Sequence, residues 1–146
     1  MAQPERVIDY RIVQIAIDRF NMQEQQLSEK DEIGIKTSFS FQANFEHKGL
    51  RCISSYTFTK GEEKFIELTL SCVFAIKPEM FESLYDESKK HIVVEAFFCR
   101  YMATIAVGAA RGVIASKVQD TLLQDVVLPP INLVETIKAD SIFNVK

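Results

Sequence analysis

Residues 92–116, IVVEAFFCRYMATIAVGAARGVIAS, decide how the rest of the chain is read. The stretch holds no Pro, and its only charged residues are Glu95, Arg100 and Arg111. It reads as one long α-helix, beginning near Ser88, with apolar residues on nearly every side. A surface helix needs a single apolar stripe, whereas a helix apolar all round must be covered on several sides. At about 100° per residue, Arg100 and Arg111 fall within roughly 20° of each other, with Thr104 and Val107 beside them, and this line is the one narrow wet edge. Cys99, Ala103, Ala106 and Ala110 form a seam of small residues that a second backbone can approach closely. Gly108 and Gly112, four residues apart, share one helical ridge. A membrane span is the rival reading. Charges at Glu95, Arg100 and Arg111 would each cost about 2.5–3.5 kcal/mol near a bilayer centre, so no membrane insertion is expected. The pattern instead asks for a sheet on one side and a second subunit on another. Cys99, Ala103, Ala106 and Ala110 are the expected interface.

Upstream of this helix the period changes to two. Residues 33–46 alternate most cleanly: Ile33, Ile35, Thr37, Phe39, Phe41, Ala43 and Phe45 share one face, and Gly34, Lys36, Ser38, Ser40, Gln42, Asn44 and Glu46, the one acid, share the other. Alternation of this kind marks a strand with one dry and one wet face. His47-Lys48-Gly49 reads as a hairpin loop, with Gly49 available for a positive φ. Residues 50–60 are the return strand. Gly61-Glu62-Glu63 turns the chain again, and residues 64–77 form the next strand, with Ile66, Leu68, Leu70, Cys72, Phe74 and Ile76 in phase. Before them, residues 7–20 also read as a strand, but the apolar phase switches between Ile12 and Val13. Such a switch predicts a bulge or a strand covered on both faces. The polar connection between these strands, residues 21–32, carries Met22 and Leu27 as isolated apolar side chains.

Downstream, Pro78 ends the sheet and starts a short helix or turn, with Met80, Phe81 and Leu84 on its apolar side. After the long helix, Pro129 and Pro130 forbid helical hydrogen bonding and make residues 126–132 extended. Asn132 with Glu135 three residues on resembles a capping box, so a short C-terminal helix is expected, with Leu133, Val134, Ile137, Ile142 and Phe143 on its apolar face. Strands followed by helices give an α+β fold: a four-stranded antiparallel sheet, a long helix packed on one face and a short C-terminal helix, all within one domain over residues 1–146.

Composition narrows the function. Apolar residues make up 47% of the 146-residue chain, enough for a real core and too many for disorder. A net charge of −3 with no basic stripe argues against nucleic acid as a partner. Residues 1–10 lack an apolar leader core, so the expected location is the cytoplasm. Cys52, Cys72 and Cys99 are odd in number and without metal spacing, which fits core thiols in a reducing compartment. No nucleophile elbow, phosphate loop, dinucleotide fingerprint or zinc helix motif is present, so neither an enzyme nor a cofactor is expected. His91 has no second His or Cys near it, so no metal is expected there either.

The order of four strands, long helix, proline-containing segment and short helix resembles the SecB protein-export chaperones over roughly residues 8–143. Leu128-Pro129-Pro130-Ile131-Asn132-Leu133 is similar to the family's segment before its last helix, and Ala110-Arg111-Gly112 is similar to its arginine–glycine pair. The resemblance implies an ATP-independent holdase for unfolded or non-native polypeptide, with exported preproteins or an aggregation-prone antitoxin as clients. It implies a homotetramer, a dimer of dimers, and the SecA motor as a partner. This chain departs from the family in two places. The spacing from Arg111 to Pro130 is about twice that of proteobacterial members, and the wet sheet face lacks the acidic surface on which SecA docks. Glu5, Asp9 and Asp18 are the acids that could replace that charge. Apolar side chains suit a client groove, because promiscuous binding needs adaptable apolar surface and few fixed polar groups. Met22, Leu27, Val134, Ile137, Ile142 and Phe143 are the candidates. The alternative is a small-ligand-binding or enzymatic α+β domain with a pocket between sheet and helix.

Overall fold

The computed structural model describes residues 8–145, so Glu5 lies outside the described residues. Four strands, β1 (Tyr10–Met22), β2 (Ile33–Asn44), β3 (Gly49–Lys60) and β4 (Glu63–Ile76), form one antiparallel sheet in the order β1-β4-β3-β2. β2, β3 and β4 are joined by consecutive hairpins, as the alternation predicts. In the first hairpin the left-handed residue is Lys48, with φ 52°, and not Gly49. Gly49 is needed for a different reason: a Cβ there would sit 3.1 Å from the Phe74 carbonyl oxygen on the neighbouring strand. The phase switch in β1 is real. The register with β4 shifts between Ile12 and Gln14 and again between Ile17 and Arg19.

A short helix α1 (Pro78–Glu82) follows, with Pro at its start and Phe81 buried. The long helix α2 then spans Ala96–Val118 and lies across β3 and β4. It begins later than its apolar pattern suggests. His91–Val94 is instead a strand, β5, paired with β6 (Ser141–Asn144) at the end of the chain. The β-branched run Ile92-Val93-Val94 favours extended backbone, and β6 supplies the hydrogen-bonding partner. The expected C-terminal helix shrinks to one turn, α3 (Leu133–Thr136). Its cap is the predicted one, since Asn132 accepts a hydrogen bond from the Glu135 backbone N–H at 3.2 Å. The turn ends at Ile137, whose backbone is extended, and further on the Asp140 carboxylate accepts the Ala96 N–H at 2.8 Å at the start of α2.

The seam on α2 corrects the interface expectation. Cys99, Ala103, Ala106 and Ala110 are all 0% exposed within the single chain. The backbone that approaches them is the chain's own sheet, where Cys52, Leu70 and Cys72 meet the helix in one core cluster with Cys99, Ala103 and Ala106. Small side chains at these positions allow the helix axis to lie close to the pleated surface. Val107, expected at the wet edge, is buried as well. The exposed side of α2 is instead the line of Tyr101, Thr104, Gly108 and Gly112.

An Ala103→Glu substitution therefore attacks the fold itself. Burying an unpaired carboxylate costs about 3–5 kcal/mol. Thermal denaturation followed by circular dichroism will show a large loss of stability, not a folded chain that has merely lost its partners.

Candidate functional site

Three thiols lie in the core between sheet and helix. Cys52 and Cys72 are direct cross-strand partners, and all three cysteines are free and buried. Burial, reinforced by the neighbouring thiols, pushes Cys52 up to about 12. Burial raises Cys72 and Cys99 in the same direction. A thiol held neutral is a poor nucleophile and a poor metal ligand. Tyr56, also fully buried, is pushed up to about 12, chiefly by burial. Among the described residues no group of His, Cys, Asp and Glu is arranged to hold a metal ion. His91 meets one carboxylate, with its Nε2 2.9 Å from Asp86. Hydrogen bonds from Ser88 and from the His91 backbone hold the Asp86 carboxyl below its usual range. This pair closes the turn between α1 and β5.

Between sheet and α2 the side chains of two apolar clusters are packed together and buried. Open space lies at the flanks. The larger concavity, about 1140 Å³, sits where the end of β2 faces β6. Phe41, Ala43 and Phe45 and the apolar Ile142 and Phe143 of β6 border it, together with the polar Gln42, Asn44, Glu46, His47, Arg51 and Asn144. β2 is an edge strand, so its dry face is only partly covered by the helix layer, and Phe39, Phe41 and Phe45 remain half-buried. Phe45 stacks edge-on with Phe81 at 6.1 Å between ring centroids, which fixes the far end of the floor. The register of β2 with β3 has no shift along its length, unlike that of β1 with β4. A flat, unbulged edge with one charged side chain, Lys36, is open to another strand. A second hollow of about 520 Å³ lies between α2 and α3, with Tyr101, Thr104 and Val134 among its lining residues.

The six candidate client residues are thus dispersed. Ile142, 61% exposed, and Phe143 border the larger groove, and Val134 borders the smaller hollow. Ile137 is 8% exposed and belongs to the core. Met22 and Leu27 pack with Leu123, Leu128 and Val126 in a second apolar cluster, so the polar connection and the last element do not share one groove. The connection is fastened there by Glu24, whose side chain accepts the Leu122 N–H at 2.7 Å. The groove residues that sequence reasoning did not single out, Phe41, Ala43 and Phe45, were legible as a dry face. Their availability depends on strand order, which places β2 at an edge.

The two arginines of α2 hold the C-terminal segment against the helix. Arg111 donates from Nε to the Leu128 carbonyl at 2.8 Å and from a terminal nitrogen to the Pro129 carbonyl at 2.9 Å. Arg100 donates to the Ile137 carbonyl at 2.8 Å. The proline-containing segment cannot bond these carbonyls within a helix, and the guanidinium groups supply the missing donors. The wet sheet face also carries little free acid. Asp18 accepts a hydrogen bond from Ser71 and lies 3.8 Å from Arg51, and Glu67 pairs with Arg19 at 3.3 Å.

No protein-family model and no curated protein sequence matches this chain. A solved structure does: the SecB-like chaperone of Mycobacterium tuberculosis in complex with a ChAD peptide from the HigA1 antitoxin. The TM-score is 0.53 at 8% sequence identity, over 84% of this chain and 91% of that one. At this identity the likeness establishes the fold. The fold is SecB-like, with the four-stranded sheet, long helix and short helix in the same arrangement.

Replacing Arg111 by Lys tests the fastening of the C-terminal segment. A single ammonium cannot reproduce the two directed bonds of the fork, and a charged hydrogen bond contributes about 1.5–3 kcal/mol. The variant will melt earlier, and limited proteolysis will cut near residues 126–131 before the sheet.

Proposed function

We propose that this chain is an ATP-independent chaperone, a holdase that binds unfolded or non-native polypeptide and catalyses no reaction. The observation that carries the reading is the open groove beside β2, with its half-buried floor of Phe41 and Phe45 and the exposed Ile142 at its rim. A water-accessible concavity with an adaptable apolar floor can accept many sequences. The SecB-like fold supports the same reading, since the Mycobacterium tuberculosis protein of that fold was solved holding an antitoxin peptide. An aggregation-prone antitoxin and a preprotein awaiting export are both clients of this chemistry. The antitoxin is the better fit. The exposed wet face of β2 is Lys36, Ser38, Ser40, Gln42 and Asn44, without the acidic surface that docking to SecA requires. Three free, buried thiols fit a reducing cytoplasm.

Self-association completes this reading, as a homotetramer built from two dimers. β1 is the sheet's other edge, and Ile12, Ile15 and Ile17 on it are 44%, 50% and 48% exposed. They are in register with Phe74, Cys72 and Leu70 of β4, so they lie on the helix-bearing face beyond the cover of α2. Tyr101, 46% exposed, and Gly108 and Gly112, with nothing within 4 Å of a built Cβ, continue the uncovered surface on α2. Exposed apolar surface of this kind supports an interface with a second copy of the chain.

Two measurements test the proposal. Phe41→Ser will weaken capture of an aggregating client about tenfold or more in a light-scattering assay, with the circular dichroism spectrum retained. Binding to the parent chain will show a negative heat-capacity change and little dependence on salt, as apolar burial requires. Unchanged capture by the variant would place clients elsewhere. For assembly, Ile15→Lys will convert the parent oligomer to a folded monomer by light scattering. A parent chain that is itself monomeric at micromolar concentration rules the tetramer out.

A further inference from the structure

The last strand occupies a place that the main sheet does not require. Among the described residues, β6 pairs with β5 alone, over Ser141–Asn144. A two-stranded ribbon of this length is marginal in water by itself. Beyond its ladder with β5, it is held by the Val145 N–H, which donates to the Lys90 carbonyl at 2.8 Å, by the Cys99 thiol, which donates to the Ser141 hydroxyl at 3.4 Å, and by Phe143, which packs into the core cluster that also takes Phe41 and Phe45. The backbone of β5 presents a regular strand template on this side. The Val93 N–H is turned away, donating to the Leu84 carbonyl at 2.9 Å, and the His91 carbonyl is turned away to accept the Asp86 N–H at 3.0 Å. By the alternation of an antiparallel ladder, Lys90, Ile92 and Val94 direct their hydrogen-bonding groups at β6.

We propose that β6 stands, in the free chain, in a site that an extended client segment takes when it binds, pairing with β5 and setting a large apolar side chain among Phe41, Ala43 and Phe45. This rests on the holdase reading above. β6 itself states the chemistry of the occupant: an uncharged strand, Ser-Ile-Phe-Asn, with Phe143 inward and Ile142 outward. Main-chain bonds to β5 do not depend on client sequence, and the floor selects only for one bulky apolar residue at the inward position. Because β6 is covalently attached, it competes with every client. The apparent affinity is the intrinsic one reduced by the fraction of chains in which β6 has let go. A client is therefore released when β6 returns, with no nucleotide consumed.

A reversible lock tests this. Val93 and Ile142 are opposite residues. The outward turn of the Val93 N–H makes them a non-hydrogen-bonded pair, with a Cα separation of about 4.5 Å, within disulfide range. In the double variant Val93→Cys/Ile142→Cys, oxidised glutathione takes two electrons from the two new thiols. The S–S bond forms, and the two thiol protons end on the two molecules of reduced glutathione produced. The native thiols are buried and do not compete. The probe is reduced, carboxymethylated α-lactalbumin, which cannot refold. Locked protein will bind it at least tenfold more weakly than the same variant after dithiothreitol, and Phe143→Ser, which loosens β6, will bind it several-fold more tightly than the parent. Equal affinity with and without the lock, or weaker binding by Phe143→Ser, overturns the proposal. Hydrogen exchange without any client separates this failure from that of the holdase reading. The Phe143 amide will exchange through a local opening far below the free energy at which β3 and β4 amides exchange. If it exchanges only with global unfolding, β6 is a fixed wall and the proposal fails even where clients bind.

Discussion

The close approach of α2 to its own sheet is the contact on which the rest of the structure depends. Cys99, Ala103, Ala106 and Ala110 let the helix settle on β3 and β4, and Phe98, Met102, Ile114 and Val118 fill the space around them. Each large side chain removed from water there contributes about 1.5–3 kcal/mol. A helix laid along the two central strands cannot also cover both edges. That limit leaves β1 and β2 with half-covered dry faces.

The two edges are treated differently. β1 carries two register shifts and a row of exposed isoleucines, while β2 is regular along its length and faces β6 across an open groove. Bulges twist an edge and make indiscriminate strand pairing harder, so β1 suits a specific, shape-matched neighbour. A regular edge beside an aromatic floor suits an occupant whose sequence is not fixed. The arginines of α2 connect the two halves of this arrangement. By holding the carbonyls of Leu128, Pro129 and Ile137, they carry the chain back along the helix so that Asp140 caps α2 and β6 reaches β5.

Much of the fold was legible in local pattern. The meander of β2, β3 and β4 follows from period-two alternation and turn residues, and the bulges of β1 from a change of phase. The cap at Asn132 follows from its spacing to Glu135. The misreadings cluster where two patterns overlap. Ile92-Val93-Val94 continues the apolar run of α2, and only a partner strand from residues 141–144 makes it extended. Ile137, Ile142 and Phe143 fit a helical face on paper, yet the cap leads to a single turn and the rest of the segment becomes strand. Of the candidate client residues, Ile137, Ile142 and Phe143 were grouped by a helix that stops after one turn, whereas Met22 and Leu27 came from the polar connection and Val134 lies on the turn that forms.

The sequence by itself determined the fold class, the burial of the three cysteines, the positions of the hairpin turns and the dry face of each strand. These are properties of neighbours along the chain, where spacing of two or three and a half residues dictates which side chains share a face. Only the tertiary structure decided that the small seam of α2 belongs to its own sheet, that β2 is an edge, and that the last strand returns to β5. Each of those is a choice of partner between distant segments. Any small-residue face can meet any flat surface, and any unpaired strand can meet any other. The choice is settled by which combination buries the most apolar area while leaving no backbone group without a hydrogen bond.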